Sequence, residues 1–340
     1  MNKQQKLNKI TEKMHELNFS GAYYAKNNKS ILTDAHGERN QSERLKNNTG
    51  TRFSIASGSK IFTAAAVCML VDEGKITFDS KISDCLDIEF PNFNGEITIH
   101  HLLTHTSGVP DYFNEEIMDD FEELWVEHPM YLVRNLKDFL PMFQHMEMQN
   151  DLNSSFQYNN TGYILLGLVV ESLTKMSFTE YVETFMFKKA SMHHSGYFEM
   201  DRLPENTAHG YIELSGGYWK SNIYSLPVKG GADGGAYVTA SDRALFWKAL
   251  FDGFLLSDKI LEMFLKPRVI VNEEDRIFYG YCGYMELDEN NRTLKYIQMG
   301  YDPGVNFREV YYPESQKIIT VCSNHEEGAH ELMGEVEALI

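Results

Sequence analysis

A serine and a lysine three residues apart stand at the entry to a long apolar segment. Ser57 and Lys60 precede residues 61–71, where only Thr63 is clearly polar. This pattern predicts a helix, and a helix that is apolar on all sides must be buried. Ser57 would lie in its first turn, on the same face as Lys60, where free N–H groups favour negative charge. Because burial can lower the pKa of a lysine, the pair predicts a nucleophile and its base.

The same spacing occurs a second time, so spacing alone does not identify a catalytic pair. Ser172 and Lys175 come at the end of another apolar segment. A lysine at the C-terminal end of a helix complements the helix dipole, and this copy is therefore interpreted as structural. Whether Ser57 and Lys60 differ from it depends on the motifs around them.

Tyr158 and Asn160 form a second candidate group, just before the apolar segment 163–173. In an extended chain their side chains point the same way. A phenol relays protons when a nearby cation lowers its pKa, and an amide can orient a carbonyl or amide group of a substrate. The alternative is an ordinary polar helix start with a structural tyrosine, and Tyr112 and Asn114 repeat the spacing elsewhere.

Two histidines, His101 and His105, have the four-residue spacing of a zinc-binding helix. However, no glutamate lies between them as in the HExxH motif, and Gly108 and Pro110 interrupt any helix just downstream. The segment therefore predicts no metal site, and His105 is interpreted as a residue that holds a loop. No motif in the chain indicates a cofactor.

The composition of the 340-residue chain limits its partners. A formal net charge of −18 argues against nucleic acid, because phosphate binding needs clustered lysines and arginines. No stretch approaches the roughly 18 apolar residues of a membrane span, and the N-terminus lacks the apolar segment of a signal peptide. The four cysteines form no CxxC pair. We expect a cytoplasmic protein with reduced thiols and a small-molecule or peptide substrate; the oligomeric state is left open.

The order of helix and strand patterns predicts an α+β fold. Amphipathic periodicity predicts helices near both termini, and alternating patterns predict strands next to each of them. The pattern in the middle of the chain is mainly helical and includes a predicted helical flap. The segments are helices at 7–17 and 329–339, strands at 21–34 and 278–323, and the flap at 116–143.

The simplest architecture is an antiparallel sheet built from both termini and flanked by the terminal helices. Residues 1–56 and 226–340 would form this part, and an all-helical region, residues 57–225, would be inserted into it. Ser57 falls at the seam between the two parts. Such seams are common places for a binding pocket.

Four segments, in this order, resemble motifs of the serine β-lactamase and penicillin-binding protein superfamily. They are residues 53–64, which contain the Ser-x-x-Lys box, 101–112, which contain His-Thr-Ser-Gly-Val-Pro, 158–167 and 234–242. The most similar branch is that of class C β-lactamases, D-alanyl-D-alanine carboxypeptidases and related esterases, over residues 5–335. The resemblance implies a β-lactamase/transpeptidase-like fold.

The resemblance also implies roles for the candidate residues. Ser57 would attack a carbonyl carbon and form an acyl-enzyme, while Lys60 and Tyr158 would share the proton transfers. Asn160 would hold both Lys60 and the amide of the substrate. Tyr112 would either line the pocket or be a loop aromatic that packs under the flap.

The third motif of the superfamily is where this chain departs from the pattern. Lys-Thr-Gly or His-x-Gly usually lies a few residues before a Pro-Gly turn, and here that position holds Gln298, Gly300 and Tyr301. The N–H of Tyr301 would complete an oxyanion hole with that of Ser57. Gln298 can form hydrogen bonds but cannot neutralise a substrate carboxylate.

We therefore expect a serine hydrolase that acts through an acyl-enzyme on an ester, an amide or D-amino-acid peptide, or a lactam. Esterase or peptidase activity is favoured over a true β-lactamase, because Gln298 replaces the usual cation. If Asp302 faces the site, a substrate with a basic group is favoured. The alternatives are a penicillin-binding or sensor-type protein that is acylated but turns over poorly, and a non-catalytic binding scaffold.

Overall fold

The computed structural model describes residues 1–114, 118 and 121–340. Within them, no helix is both long enough and apolar enough to cross a bilayer. The terminal helices fall where the amphipathic pattern predicts them. The α-helices are α1 (Lys3–Glu16), α2 (Lys60–Asp72), α3 (Ile82–Cys85), α4 (Ile99–Leu103), α5 (Asn160–Thr174), α6 (Phe178–Val182), α7 (Ala240–Phe251), α8 (Asp258–Leu265) and α9 (Ala329–Leu339).

The strands form one large sheet and three small two-stranded ones among the described residues. The large sheet has eight strands in the order β2-β1-β14-β13-β12-β11-β10-β9. The strands are β1 (Gly21–Lys26), β2 (Ile31–His36), β3 (Glu38–Asn40), β4 (Leu45–Lys46), β5 (Phe53–Ser54), β6 (Tyr211–Leu214), β7 (Tyr218–Ser221), β8 (Tyr237–Val238), β9 (Pro267–Asn272), β10 (Ile277–Gly280), β11 (Gly283–Leu287), β12 (Thr293–Asp302), β13 (Val305–Tyr312) and β14 (Lys317–Ser323).

The large sheet joins the two ends of the chain, as the sequence predicts. β1 pairs antiparallel with β14, so that Gly21 lies opposite Ser323. On one face, α1 and α9 bury a cluster that includes Ile10, Leu332 and Val321. The other face packs against the main core, to which α2, α5 and α7 contribute. The predicted α+β fold, with an antiparallel sheet flanked by terminal helices, is confirmed.

Several elements differ from the sequence prediction. The stretch 278–287, within the strand region predicted at 278–323, holds two strands, β10 and β11, and β9 lies before the predicted region. Residues 57–225 are not all-helical, because β6 and β7 form a hairpin across Ser215–Gly217. Gly216 and Gly217 adopt a positive φ of 78° there, a conformation that glycine reaches without strain. The division into two units at residues 57 and 225 remains a prediction.

The predicted helical flap lies partly outside the described residues, since 116, 117, 119 and 120 are not among them. The described remainder forms short 3₁₀ segments, Phe121–Trp125, Met130–Leu132 and Leu136–Met142. A proline, Pro141, lies inside the last of these. Because proline lacks an N–H and clashes with the preceding turn, it disfavours a regular α-helix there.

The apolar helix after Ser57 is buried as predicted. In α2, every residue from Lys60 to Leu70 is buried. The helix ends at Asp72 with Glu73 as its C-cap, and Gly74 follows with a φ of 69°, the left-handed conformation typical of the residue after a helix C-cap. The buried α2 therefore fixes one end of the segment that carries Ser57.

Candidate active site

Ser57 lies in a 3₁₀ turn, Ala56–Ser59, that leads directly into α2. This turn, called the serine turn below, replaces the first α-helical turn that the sequence predicts. The Ser59 hydroxyl stabilises this turn with two hydrogen bonds. It donates to the carbonyl of Ala56 at 2.8 Å and accepts from the N–H of Ala236 at 2.9 Å. The N–H of Gly235 also donates to the Ala56 carbonyl, at 3.2 Å. The serine turn is thus hydrogen-bonded to the backbone of residues 235–236.

β12 passes close against the serine turn at Gly300. A Cβ atom added at Gly300 would lie 2.1 Å from the Ile55 carbonyl oxygen and 2.8 Å from the nitrogen of Gly58. One added at Gly58 would lie 2.4 Å from the ring of Phe307, on β13. Both glycines are therefore required by close backbone approach, which explains why the glycine of the third motif remains in this chain.

Lys60 is buried, and its ammonium group meets three oxygen acceptors. Its Nζ lies 3.0 Å from Oγ of Ser57, 2.7 Å from Oδ1 of Asn160 and 2.6 Å from the carbonyl oxygen of Asp233. An ammonium group has three donors, so these acceptors can use all of them. The contacts fix Nζ at hydrogen-bond distance from the serine hydroxyl, which is the geometry a proton transfer needs.

Asn160 is the first residue of α5, and Asp111 holds this end of the helix. The Asp111 carboxylate accepts from the N–H groups of Asn160 and Thr161, each at 3.0 Å. The Asn160 amide nitrogen donates to the carbonyl of Phe113 at 3.2 Å, while its oxygen faces Lys60. The Asn160 side chain is therefore oriented by Asp111 and Phe113, with its acceptor directed to Lys60.

The ring of Tyr158 covers Lys60 and rests on His105. The Lys60 Nζ lies 4.9 Å from the centroid of the Tyr158 ring, a cation–π distance. The His105 and Tyr158 ring centroids are 4.6 Å apart. Tyr158 is thus packed between a buried lysine and a buried histidine.

His105 is a buried, hydrogen-bonded histidine, as the sequence interpretation expects. Its Nδ1 accepts from the N–H of Asn159 at 3.0 Å, so Nε2 carries the proton and donates to the hydroxyl of Tyr279 at 3.1 Å. Burial lowers its pKa well below the usual value, and the charge of Lys60 lowers it further. The ring nitrogens of His101 contact Thr98 and Asn153. Both histidines therefore use their nitrogens within the protein.

Tyr112 lies on the other side of Ser57. Its hydroxyl donates to the carboxylate of Asp233, and its N–H donates to Oγ1 of Thr161 at 2.9 Å. Burial raises the pKa of Tyr112 well above its usual value, and the charge of Asp233 adds to this. Tyr112 is therefore a neutral hydrogen-bond donor that fixes the Asp233 side chain, while the Asp233 carbonyl holds Lys60.

The third motif presents alternate residues to the two faces of β12. Gln298 is buried and its amide nitrogen donates to the carbonyl of Cys282 at 2.6 Å. Gly300 faces the serine turn, and Asp302 lines a cavity together with Ser57. The Tyr301 side chain is 47% exposed and its hydroxyl contacts Glu326 at 3.2 Å. Tyr301 also lines a cavity that reaches Ser57, and its backbone lies next to Gly300.

Two cavities meet at Ser57. The larger, of about 320 Å³, is lined by Ser57, Lys60, Gln298 and a group of tyrosines, Tyr158, Tyr163, Tyr279, Tyr281, Tyr284 and Tyr301. We call it the tyrosine cavity. The smaller, of about 70 Å³, is lined by Ser57, Tyr112, Asn160, Asp233 and Asp302, together with aromatic and aliphatic side chains such as Trp125, Phe139 and Leu226. We call it the acidic cavity, after its two carboxylates.

A model of the family described as Beta-lactamase matches residues 8–332. This match spans nearly the whole chain, including the serine turn and the third motif. The chain belongs to the beta-lactamase family. It is a serine hydrolase of the β-lactamase and penicillin-binding protein type, as the resemblance of its motifs implies.

Known relatives of this family member include proteins named for penicillin binding. A solved penicillin-binding protein from Bacillus halodurans is 50% identical, with a TM-score of 0.92, over 97% of this chain and 100% of that chain. Penicillin-binding protein 4* of Bacillus subtilis (strain 168) is 28% identical over 96% of this chain and 73% of the relative. A D-amino acid amidase from Ochrobactrum anthropi SV3, 20% identical with a TM-score of 0.79 over 98% of this chain and 96% of that chain, shows the same fold.

Two aspartates of the site were missed in the sequence of this beta-lactamase-family chain. Asp111 lies near the end of the segment 101–112, and Asp233 lies within the glycine cluster of residues 230–235. The available sequence signal for Asp233 was that it is the single acidic residue within the glycine-rich segment 230–235. Their partners, Asn160 and Lys60, are distant in sequence, so spacing alone does not reveal the contacts.

Replacing Asp111 by asparagine is expected to change how stability depends on pH. Burial raises the pKa of Asp111 to about 7, against about 3.9 when unfolded. Because the folded pKa is raised, the stability that this group contributes is present below about pH 4 and is lost as pH rises through about 7. As pH rises from about 4 to about 8, the free energy of unfolding of Asp111→Asn should therefore increase relative to that of wild type.

The measurement is urea unfolding of both proteins at the two ends of this range. All other titrating groups are shared, so their contributions cancel in the difference between the two proteins. A difference that stays constant with pH would show that Asp111 is already ionised in the folded protein at low pH.

Proposed function

We propose that this chain hydrolyses an ester or amide bond through an acyl-enzyme on Ser57. The observation that carries the proposal is the buried Lys60, whose Nζ lies 3.0 Å from Oγ of Ser57 and is held by Asn160 and Asp233. A serine hydroxyl becomes a useful nucleophile when such a base takes its proton. A non-catalytic scaffold, the alternative, would not explain why a buried lysine is hydrogen-bonded to a serine hydroxyl.

The first half-reaction joins Ser57 to the acyl group. Lys60 acts as the base in its neutral amine form: Oγ attacks the carbonyl carbon, the hydroxyl proton passes to Nζ, and the phenol of Tyr158 relays it onward. When the tetrahedral intermediate collapses, the bond to the leaving group breaks and this proton ends on the leaving oxygen or nitrogen. In the second half-reaction water attacks the acyl carbon and gives one proton to Lys60 by way of Tyr158. The bond between Oγ and the acyl carbon then breaks, the proton returns to Oγ of Ser57, and the acid is released.

The negative oxygen of each tetrahedral intermediate needs hydrogen-bond donors. The N–H of Ser57 and the N–H of Tyr301 are the proposed pair, since β12 lies against the serine turn at Gly300. Losing one such donor typically raises the barrier by about 3–4 kcal/mol. The missing Cβ of Gly300 is what lets the two backbones approach closely enough to share one oxygen.

Esters and peptide amides are favoured over β-lactams as substrates to be turned over. The third motif has Gln298 in place of a cation, and its amide nitrogen already donates to Cys282. A glutamine therefore adds no charge to attract the carboxylate of a β-lactam. The relative from Bacillus halodurans is named for penicillin binding, and this supports a second candidate, a protein that penicillin acylates and that deacylates poorly.

Intact-mass spectrometry alongside product release separates the two candidates. The protein is mixed with p-nitrophenyl acetate and, separately, with benzylpenicillin. Repeated release of nitrophenol beyond one equivalent, with at most a transient acetyl adduct, is the expected result. A stable adduct from both compounds, with no more than one equivalent of product, would favour the poorly deacylating candidate. No adduct and no product would contradict both.

A further inference from the structure

The tyrosine cavity offers an apolar wall on the side of Ser57 that holds Tyr158. Tyr158 and Tyr284 are half-buried and line it, and Met299 lines it with 38% of its surface exposed. The ring of Tyr284 packs edge-on against Tyr279, with centroids 4.8 Å apart. Phe156 lies behind both rings. The position of this wall is therefore fixed by ring packing before any substrate arrives.

The hydroxyl groups of the deeper tyrosines are directed into the protein. The hydroxyl of Tyr279 accepts from His105, and the hydroxyl of Tyr281 lies 2.9 Å from Nδ1 of His100. The hydroxyl groups of Tyr163 and Tyr279 form a hydrogen bond at 3.3 Å. Because these polar atoms have partners in the protein, the deeper tyrosines contribute mainly ring carbon to the cavity.

Two cationic side chains, Lys60 and Arg308, line the tyrosine cavity, and both interact with oxygen atoms or carboxylates of the protein. Lys60 is held by three oxygen acceptors. Arg308 lies opposite Met299 in the register of β12 and β13, and the charge of Glu331 acts on it. Gly300, which packs against the serine turn, and Gln298, which lines the same cavity, carry no charge. The group that sits beside Ser57 in this cavity is therefore expected to be neutral.

The position of Tyr158 indicates which half of the substrate occupies this cavity. A group that donates a proton to the leaving atom must lie within hydrogen-bond reach of it. Tyr158 lines the tyrosine cavity, whereas Asn160 and Asp233 line the acidic cavity. The leaving group then belongs in the tyrosine cavity, of about 320 Å³, and the acyl group in the acidic cavity, of about 70 Å³.

We propose that the tyrosine cavity selects substrates with a neutral aromatic or bulky apolar leaving group and a short acyl group. This inference rests on the proposed acyl-enzyme function. For a benzyl ester, Oγ of Ser57 first bonds to the carbonyl carbon, and the bond from that carbon to the ester oxygen breaks when the tetrahedral intermediate collapses. The proton of Ser57 ends on the oxygen of the benzyl alcohol that leaves, and water later releases the acid.

The test compares kcat/KM for benzyl acetate and methyl acetate. Both share the acyl group and release a primary alcohol, so the ratio of the two values reports the pocket for the leaving group. Wild type should favour benzyl acetate by roughly 10–200-fold, the range that apolar pocket contacts provide. Tyr284→Ala should lower this ratio by about 5-fold or more, and Tyr284→Leu, which keeps an apolar side chain, should lower it less.

A matched control is Tyr218→Ala, because Tyr218 is a 74% exposed tyrosine on the β6–β7 hairpin. This variant should keep the wild-type ratio. A ratio near one in wild type, with hydrolysis of both esters lost in Ser57→Ala, would overturn the inference and leave the proposed function standing. A preference for 4-carboxybenzyl acetate over benzyl acetate would also overturn it, and would assign the cavity to Arg308 and an anionic group. No hydrolysis and no acylation of Ser57 would overturn both.

Discussion

Ser57→Ala is expected to lower hydrolysis of p-nitrophenyl acetate by roughly 10⁴–10⁶-fold. The serine turn places Oγ of Ser57 at the meeting point of the two cavities, 3.0 Å from the ammonium group of Lys60. Removing one atom removes the nucleophile while leaving the turn and its hydrogen bonds from Ser59 in place. The remaining oxyanion donors can still assist direct attack by water, so a small residual rate is expected.

Ser172→Ala is the matched control, because Ser172 begins the second Ser-x-x-Lys copy. Both variants are to be compared by the rate of nitrophenol release and by thermal unfolding. Ser172→Ala should hydrolyse the ester at the wild-type rate. Equal rates for Ser57→Ala and wild type, with both proteins folded, would contradict the assignment of Ser57 as the nucleophile.

The structure explains why the second copy is not a catalytic pair. Lys175 is the C-cap of α5 and has a positive φ of 60°. It therefore leaves the helical path, and the three-residue spacing from Ser172 no longer places the two side chains on one face. The sequence interpretation of Lys175 as a helix-end residue is confirmed. What differs at Ser57 is the chain that follows, since α2 continues for three turns from Lys60 and is buried.

The fold and the nucleophile could be predicted because both depend on local patterns in the sequence. Amphipathic periodicity located α1 and α9, and alternating residues located the strands that join the two ends of the chain. The residues that hold Lys60 depend instead on distant parts of the chain. Asn160 is 100 positions away and Asp233 is 173 away. Only the motif around Asn160 resembled a known pattern, so the carbonyl of Asp233 could not be predicted.

Sequence reasoning reaches a second limit at the third motif. Gln298, Gly300 and Tyr301 were predicted to bind substrate; all three line the tyrosine cavity with Ser57, and the binding role stays a prediction. The sequence did not reveal that the Gln298 amide donates to the Cys282 carbonyl or that the Tyr301 hydroxyl contacts Glu326, because both partners are distant in the chain. Asp302, considered as an alternative, does line a cavity with Ser57. The N–H of Tyr301 remains a proposed oxyanion donor, because a backbone group can serve the site whichever way the side chain points.

Lys60→Ala and Lys60→Met are expected to lower hydrolysis of p-nitrophenyl acetate by roughly 10²–10⁴-fold, the usual contribution of a positioned acid or base. Both remove the ammonium group that touches Ser57, and both leave the acceptors of Asn160 and Asp233 without this donor. An unsatisfied buried acceptor reduces stability by about 1–3 kcal/mol. Loss of activity must therefore be measured at a temperature where both variants are folded.

The two variants differ in whether an added amine can take the place of the missing group. Alanine leaves a space that opens into the tyrosine cavity, which Lys60 lines, while methionine fills that space. Added propylamine should therefore raise the rate of Lys60→Ala in proportion to its neutral fraction, and should not raise that of Lys60→Met. Equal stimulation of both variants would indicate attack by the amine on the ester in solution. Wild-type rates in either variant without amine would show that Ser57 is activated by another group, with Tyr158 as the first to replace.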